Sequence, residues 1–179
     1  MGPLVIVGGA PATGKTTLAL ALGASLALPV ITKDDIKEAL AAPFETGDRA
    51  WSRQLGVAAY SVLFTVAERV LAGGQGLILE SNFRCGISEA PLRALAAVAP
   101  AVVIVCRTPD ARRRFAERAA RGRHRVHIDG AVLDDWAGDD SAHQIDIDTP
   151  RLVVDTTNGY VPDLGRIVAF ARDGTVQER

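Results

Sequence analysis

Cysteine, aromatic residues and net charge are all scarce in this chain, and each scarcity narrows what the protein can be. Only Cys85 and Cys106 occur among 179 residues, too few for a disulfide framework. Cys106 ends the apolar run at residues 101–106, which reads as a buried strand, so both are expected to be reduced thiols, as in a cytoplasmic protein. Aromatics make up 5% of the chain, which leaves little for stacking on bases. A formal net charge of −1 supplies no global field to hold a polyanion, so the sequence argues against nucleic acid as a partner. No segment offers the roughly 18 uninterrupted apolar residues of a membrane span. The N-terminus lacks a basic region ahead of an apolar stretch, and Lys15 with its neighbouring glycines interrupts any signal-like run. Repeats, low-complexity tracts and linkers are also lacking, so residues 1–179 are expected to form one domain with no part in a membrane.

What the chain does contain is 48% apolar and 23% charged residues, the balance of a globular protein with a substantial core. Five short apolar runs, at residues 4–7, 29–32, 77–79, 101–106 and 152–154, are continuous and rich in branched side chains. Such runs suit strands buried on both faces of a parallel sheet. Helical patterns lie between them: 16–28, a short one at 36–40, a long one at 49–71, then 88–99 opened by Ser88, 109–121 opened near Pro109, and a closing helix at 161–172. Alternation of strand and helix predicts a layered α/β fold. Charge is segregated along it. Eight arginines fall within residues 107–125 against Asp110 and Glu117, whereas residues 129–148 hold seven aspartates and no lysine or arginine.

The run GAPATGKTT at residues 9–17 matches G-x-x-x-x-G-K-[ST], and it has the strand before and the helix after that this motif requires. In such a loop Gly9, Ala10, Pro11, Ala12, Thr13 and Gly14 curl the backbone so that successive N–H groups face phosphate oxygens, and the helix N-terminus adds partial positive charge. Lys15 is expected to reach the β- and γ-phosphates, Thr16 to ligate magnesium, and Thr17 to cap the site.

The second strand ends in Thr-Lys-Asp-Asp at residues 32–35, at the sheet edge where an open parallel sheet forms its ligand crevice. Asp34 there can take a proton from an acceptor hydroxyl or hold a metal-bound water, while Asp35 is expected to cap the next helix, a role that Asp fills equally well. The third strand ends in Glu80, Ser81 and Asn82. Glu80 either orients a magnesium-bound water, faces the acceptor, or is a solvated strand end. On the helix from Pro109, Arg114, Arg118 and Arg121 share one face, and Gly122 signals its end. That face can close over a triphosphate or pair with the acidic stretch that follows. His124 and His127 have no ligands at metal spacing nearby and are expected in a polar loop.

Taken together, residues 8–17, 31–37, 79–83, 106–109 and 118–124 resemble small P-loop kinases of the AAA-type ATP-binding group, similar to chloramphenicol phosphotransferase and to the kinase domain of phage polynucleotide kinase. The resemblance runs to about His127, with a weaker echo at residues 152–157. It implies a three-layer sandwich around a five-stranded parallel sheet of order 2-3-1-4-5, with an arginine-rich lid at about residues 109–128. It also implies Asp34 as base and Arg121 as a phosphate contact. The polynucleotide enzyme has arginine where this chain has Lys37 and aspartate where it has Glu80, departures that point away from a polynucleotide acceptor.

The expected activity is transfer of the γ-phosphate of ATP, with Mg2+, to a small-molecule hydroxyl. Lys15, Asp34 and Arg121 would be catalytic, Gly9 to Thr17 and Arg118 would hold nucleotide, and Asp34, Lys37, Arg53 and Glu80 would meet the acceptor. Trp51 and Tyr60 are further candidates for the acceptor pocket, which the segment between the second and third strands should supply. A polynucleotide 5′-hydroxyl kinase and a slowly hydrolysing nucleotide switch acting through a protein partner are the alternatives.

Overall fold

The computed structural model describes residues 2–45, 47–122, 124–127 and 141–175. Strand β1 (Leu4–Gly8) is followed by helix α1 (Lys15–Leu26), then β2 (Val30–Thr32), α2 (Lys33–Ala41), α3 (Arg49–Ala72), β3 (Leu77–Glu80), α4 (Glu89–Ala96), β4 (Ala101–Arg107), α5 (Ala111–Arg121), a 3-10 turn at Ser141–His143, β5 (Arg151–Asp155) and α6 (Leu164–Asp173). The strands form one parallel sheet in the order β2-β3-β1-β4-β5, the order that the resemblance to P-loop kinases implies.

Two cores result from the two-residue period of the strands. Leu4 and Ile6 of β1 join Leu77 and Leu79 of β3 against Leu63, Ala67 and Leu71 of α3 and Leu92 and Leu95 of α4. Val5 and Val7 turn to the other face, where Leu18, Ala19 and Leu22 of α1 and Ile167 and Phe170 of α6 cover them. All five β1 residues are buried, and each large side chain so placed contributes about 1.5–3 kcal/mol relative to exposure. Helices on both faces of the sheet make the three-layer sandwich. By length and composition alone α3, with mean hydropathy 1.5 over its most apolar window, also meets the requirement for a membrane-crossing helix. Its stripe of Ala59, Leu63, Ala67 and Leu71 nevertheless packs on the sheet, while Val57 on another side is 69% exposed.

Four local expectations are corrected. Helix α2 begins at Lys33, three residues earlier than the pattern suggested, and its cap is Thr32: the Thr32 hydroxyl accepts from the Asp35 N–H at 3.0 Å. Thr32 closes β2 in an extended conformation, the geometry a cap needs, and Asp35 is left in the first turn. Ser88 stands before α4 but makes no cap, because its hydroxyl turns back to accept from the Arg84 N–H at 2.9 Å. Strand β5 alternates between exposed and buried residues instead of being buried throughout, since only the face of Leu152 and Val154 meets a core. The last helix starts at Leu164, capped by the Asp163 carboxylate; Val161 pairs with Asp155 instead. The acidic stretch falls mostly outside the described residues. Its pairing with the arginines of α5 lies there too; at the described end Ile145 and Ile147 enter the core, and Arg93 of α4 donates to the Asp146 carbonyl at 2.6 Å.

Candidate active site

The loop between β1 and α1 is shaped by close backbone contacts. Gly9 has φ 136°, and a Cβ there would lie 2.3 Å from the Cys106 carbonyl oxygen, so no side chain fits. Gly14 enters α1 at φ 79°, and Ala12 between them is also left-handed at φ 60°. The buried Thr13 hydroxyl donates to the Ala10 carbonyl at 2.9 Å. The Lys15 ammonium donates to the same carbonyl at 2.8 Å. From β5's far end the Thr156 hydroxyl donates to the Thr13 carbonyl at 2.8 Å, bracing the loop from outside. Thr156 escaped the sequence reading because it lies 143 residues from Thr13 and follows an unremarkable strand.

A cleft of about 670 Å³ opens beside this loop, and Pro11, Ala12, Gly14, Lys15, Thr16 and Thr17 all line it. Burial lowers the Lys15 pKa below its ordinary 10.5, opposed first by the nearby Glu80 carboxylate. Glu80 ends β3 at 5% exposure, which rules out the solvated strand end. Its carboxylate accepts from the Thr16 hydroxyl at 2.9 Å. Burial raises its pKa above 4.5, against the pull of Lys15 and the Thr16 hydrogen bond. A hydroxyl and a carboxylate oxygen side by side are hard donors of the kind that suits magnesium.

Asp34 also lines the cleft, with Lys33 at 3.0 Å. Lys33 lies over the Tyr60 ring, 5.5 Å from its centroid. Tyr60 itself donates to the Asn82 carbonyl at 3.2 Å, accepts from Ser81 at 3.0 Å and stacks on Phe64, so it braces the end of β3 from outside the cleft lining. Trp51, in the first turn of α3 under the Asp48 cap, is likewise not part of the lining. Lys37 and Arg53 are part of it. The buried Lys37 ammonium donates to Ser52 at 2.8 Å, and Ser52 donates to the Val126 carbonyl at 2.7 Å.

Of the three arginines sharing a face of α5, Arg114 and Arg118 reach the cleft and Arg121, at the exposed last turn, does not. Arg114 is held by the carbonyls of Thr156 and Thr157 at 3.0 and 2.8 Å, and the Arg118 guanidinium lies 4.6 Å from the centre of the Phe115 ring. Beyond α5, His127 meets Glu38 of α2 at 2.8 Å, and His124 Nδ1 accepts from the Val126 N–H at 3.4 Å.

This arrangement of phosphate loop, strand order and helices has counterparts among known proteins. A family model described as an AAA domain matches residues 4–139. The chain belongs to this AAA family. A solved protein from Chloroflexus aurantiacus, provisionally named a kinase, is 34% identical to this AAA protein. It superposes with a TM-score of 0.80 over 97% of this chain and 98% of its own. In fold alone the AAA protein also resembles a gluconokinase of Sinorhizobium meliloti (14% identity, TM-score 0.51, 95% of this chain and 89% of that one). An APS kinase of Mycobacterium tuberculosis, solved with AMPPNP and APS, is alike to a similar degree (20% identity, TM-score 0.51, 85% and 88%). Proteins of Mycobacterium tuberculosis and Mycobacterium bovis described as uncharacterised are 29% identical over 160 residues, 83% of this chain and 32% of theirs. The chain thus spans about a third of the length of these curated relatives. It is a P-loop kinase-like protein.

Proposed function

We propose that the chain is an ATP- and Mg2+-dependent phosphotransferase that moves the γ-phosphate to a hydroxyl of a small molecule. The observation that carries this reading is that Lys15, Thr16 and Asp34 line one cleft, so groups suited to a triphosphate and a carboxylate suited to a hydroxyl serve the same space. The loop amides and Lys15 would bind the β- and γ-phosphates, and Arg118 would neutralise charge as transfer proceeds. Thr16 and Glu80 would hold magnesium, which supplies further charge neutralisation on the phosphates. Asp34 would orient the acceptor hydroxyl and take its proton as the new O–P bond forms and the bond to the β-phosphate oxygen breaks, releasing ADP. Lys37 and Arg53 would belong to the acceptor side, with Glu80 serving magnesium rather than the acceptor. Arg121 would need the segment at about 109–128 to act as a closing lid before it touched phosphate. Residues 1–179 would work as one such domain, in the cytoplasm.

The test is transfer from γ-labelled ATP to pooled hydroxyl compounds, with a 5′-hydroxyl oligonucleotide in a parallel arm and product analysis throughout. Label on a small molecule is expected. Label on the oligonucleotide would favour the polynucleotide kinase instead, a reading with little support because Phe115, buried to 2% exposure, is the one aromatic among the described cleft residues. Release of free phosphate alone would favour the nucleotide switch.

A further inference from the structure

We propose that the acceptor is itself an anion: a small hydroxyl compound that also carries an oxyanion group, bound by Arg53 of α3 and Arg84 of the loop after β3. This rests on the phosphotransferase reading and names the substrate class for it. The described cleft is lined by eight lysines and arginines against two carboxylates, Asp34 and Glu80, a formal excess of six positive charges. A triphosphate with its metal would cancel only about two of them.

The cations divide by what engages them. Lys15 and Arg118 serve the triphosphate, Arg114 is fixed on the carbonyls of Thr156 and Thr157, Lys33 is paired with Asp34, Lys37 is tied to Ser52, and Arg49 is engaged by a contact of its own. Arg53 and Arg84 remain. Both line the cleft from exposed positions, and neither has an ion-pair partner among the described residues. A guanidinium presents a planar fork that matches phosphate, sulfate or carboxylate, and a concave cleft of one sign raises the local concentration of the opposite one. Room for a ligand exists beside them. Gly56, one turn beyond Ser52 and Arg53 on α3, lines the same cleft, and a Cβ there would meet nothing within 4 Å. A glycine inside a helix is unfavourable by intrinsic propensity, and no packing contact explains this one; open floor in the cleft does.

The experiment has two parts. Sulfate is titrated into protein saturated with magnesium and a non-hydrolysable ATP analogue, so that the phosphate loop is occupied. Saturable binding is expected, weakened about 10-fold or more by Arg53→Ala or Arg84→Ala with the analogue affinity unchanged. Gly56→Leu, which fills the floor and favours the helix, should abolish it. Sulfate binding that is absent, or that survives all three substitutions, would overturn the proposal. In the second part, labelled ATP is offered with matched acceptors such as glycerol and glycerol 3-phosphate, or glucose and glucose 6-phosphate. Label confined to the anionic members, with KM for them raised in Arg53→Ala, supports the proposal. Label in neutral members at a KM indifferent to Arg53→Ala overturns it. An intact, arginine-dependent sulfate site with no labelled acceptor would support the anion site and count against the phosphotransferase reading instead.

Discussion

Glu80 places a carboxylate where solvation is poor, and its raised pKa means that burial outweighs the help from Lys15 and Thr16. A carboxyl whose folded pKa lies above its unfolded value contributes stability that is fully present below the unfolded pKa and is lost as pH rises through the folded one. As pH rises from acid toward neutral, ionising Glu80 therefore costs the nucleotide-free protein stability. Glu80→Gln should leave the nucleotide-free protein as stable as wild type or more so near neutral pH, with the difference shrinking as pH falls toward 4.5. The same variant should lose most of the magnesium-dependent part of ATP affinity. Denaturant melts from neutral to mildly acidic pH, with ATP titrations with and without Mg2+, check both; a Gln variant that is less stable near neutral pH would show that the Lys15 attraction dominates. Lys15→Ala should weaken ATP binding by about 100-fold or more, since the lysine is a point charge on two phosphates, yet leave the far-ultraviolet circular dichroism spectrum intact. Loss of folded signal would mean that its hydrogen bond to Ala10 holds the loop closed in its own right.

At the scale of elements, the turn from β2 into α2 separates a capping role from a chemical one. Thr32 caps, so Thr32→Ala should lose about 1 kcal/mol of stability. Asp35→Asn should be nearly silent in both stability and rate. Asp34→Asn should lower turnover by about 10² to 10⁴ while ATP affinity stays near wild type, because Asn keeps the shape and removes the proton acceptor. Stopped assays on all three, once an acceptor is in hand, would reassign the carboxylate if Asp35→Asn collapsed the rate. This turn also marks what the sequence makes legible. Branched apolar runs and their spacing specify strands and the glycine-lysine pattern specifies the phosphate loop, whereas the strand order follows from the resemblance to P-loop kinases and not from residue pattern. Which of Thr32, Lys33, Asp34 and Asp35 caps cannot be read from residue type, since Thr and Asp both cap well; it depends on where β2 leaves the extended conformation. Ser88 was misread for the same reason, its hydroxyl having a choice between α4 and the Arg84 N–H. The shared face of Arg114, Arg118 and Arg121 was correct as helical geometry, but how far the cleft reaches along α5 is a tertiary fact.

On the scale of the whole molecule, the phosphate loop is held by the far end of the chain. Thr156, just after the edge strand β5, donates to the Thr13 carbonyl and packs beneath Gly14, whose added Cβ would come within 3.6 Å of it. Arg114 of α5 is clamped on the Thr156 and Thr157 carbonyls, so β5, α5 and the loop share one joint. Thr156→Val keeps the volume and removes the hydroxyl, leaving the Thr13 carbonyl without that donor; the expected loss is about 1–3 kcal/mol of stability. The effect should not stop at stability. Ala12 is held left-handed without being glycine, so a loop released at Thr13 can relax away from the geometry that aims its amides at phosphate. ATP affinity should therefore fall by roughly 3- to 10-fold, about 0.7–1.4 kcal/mol. Thermal stabilisation by ATP, which grows with the ratio of ligand to dissociation constant, should shrink by the same amount at fixed nucleotide. Thr156→Ser restores the donor and should recover most of both. Melting curves across an ATP series for the two variants measure this directly. If Thr156→Val lowered the melting temperature but left the ATP-dependent increment unchanged, the joint would be a packing contact with no hold over the nucleotide site.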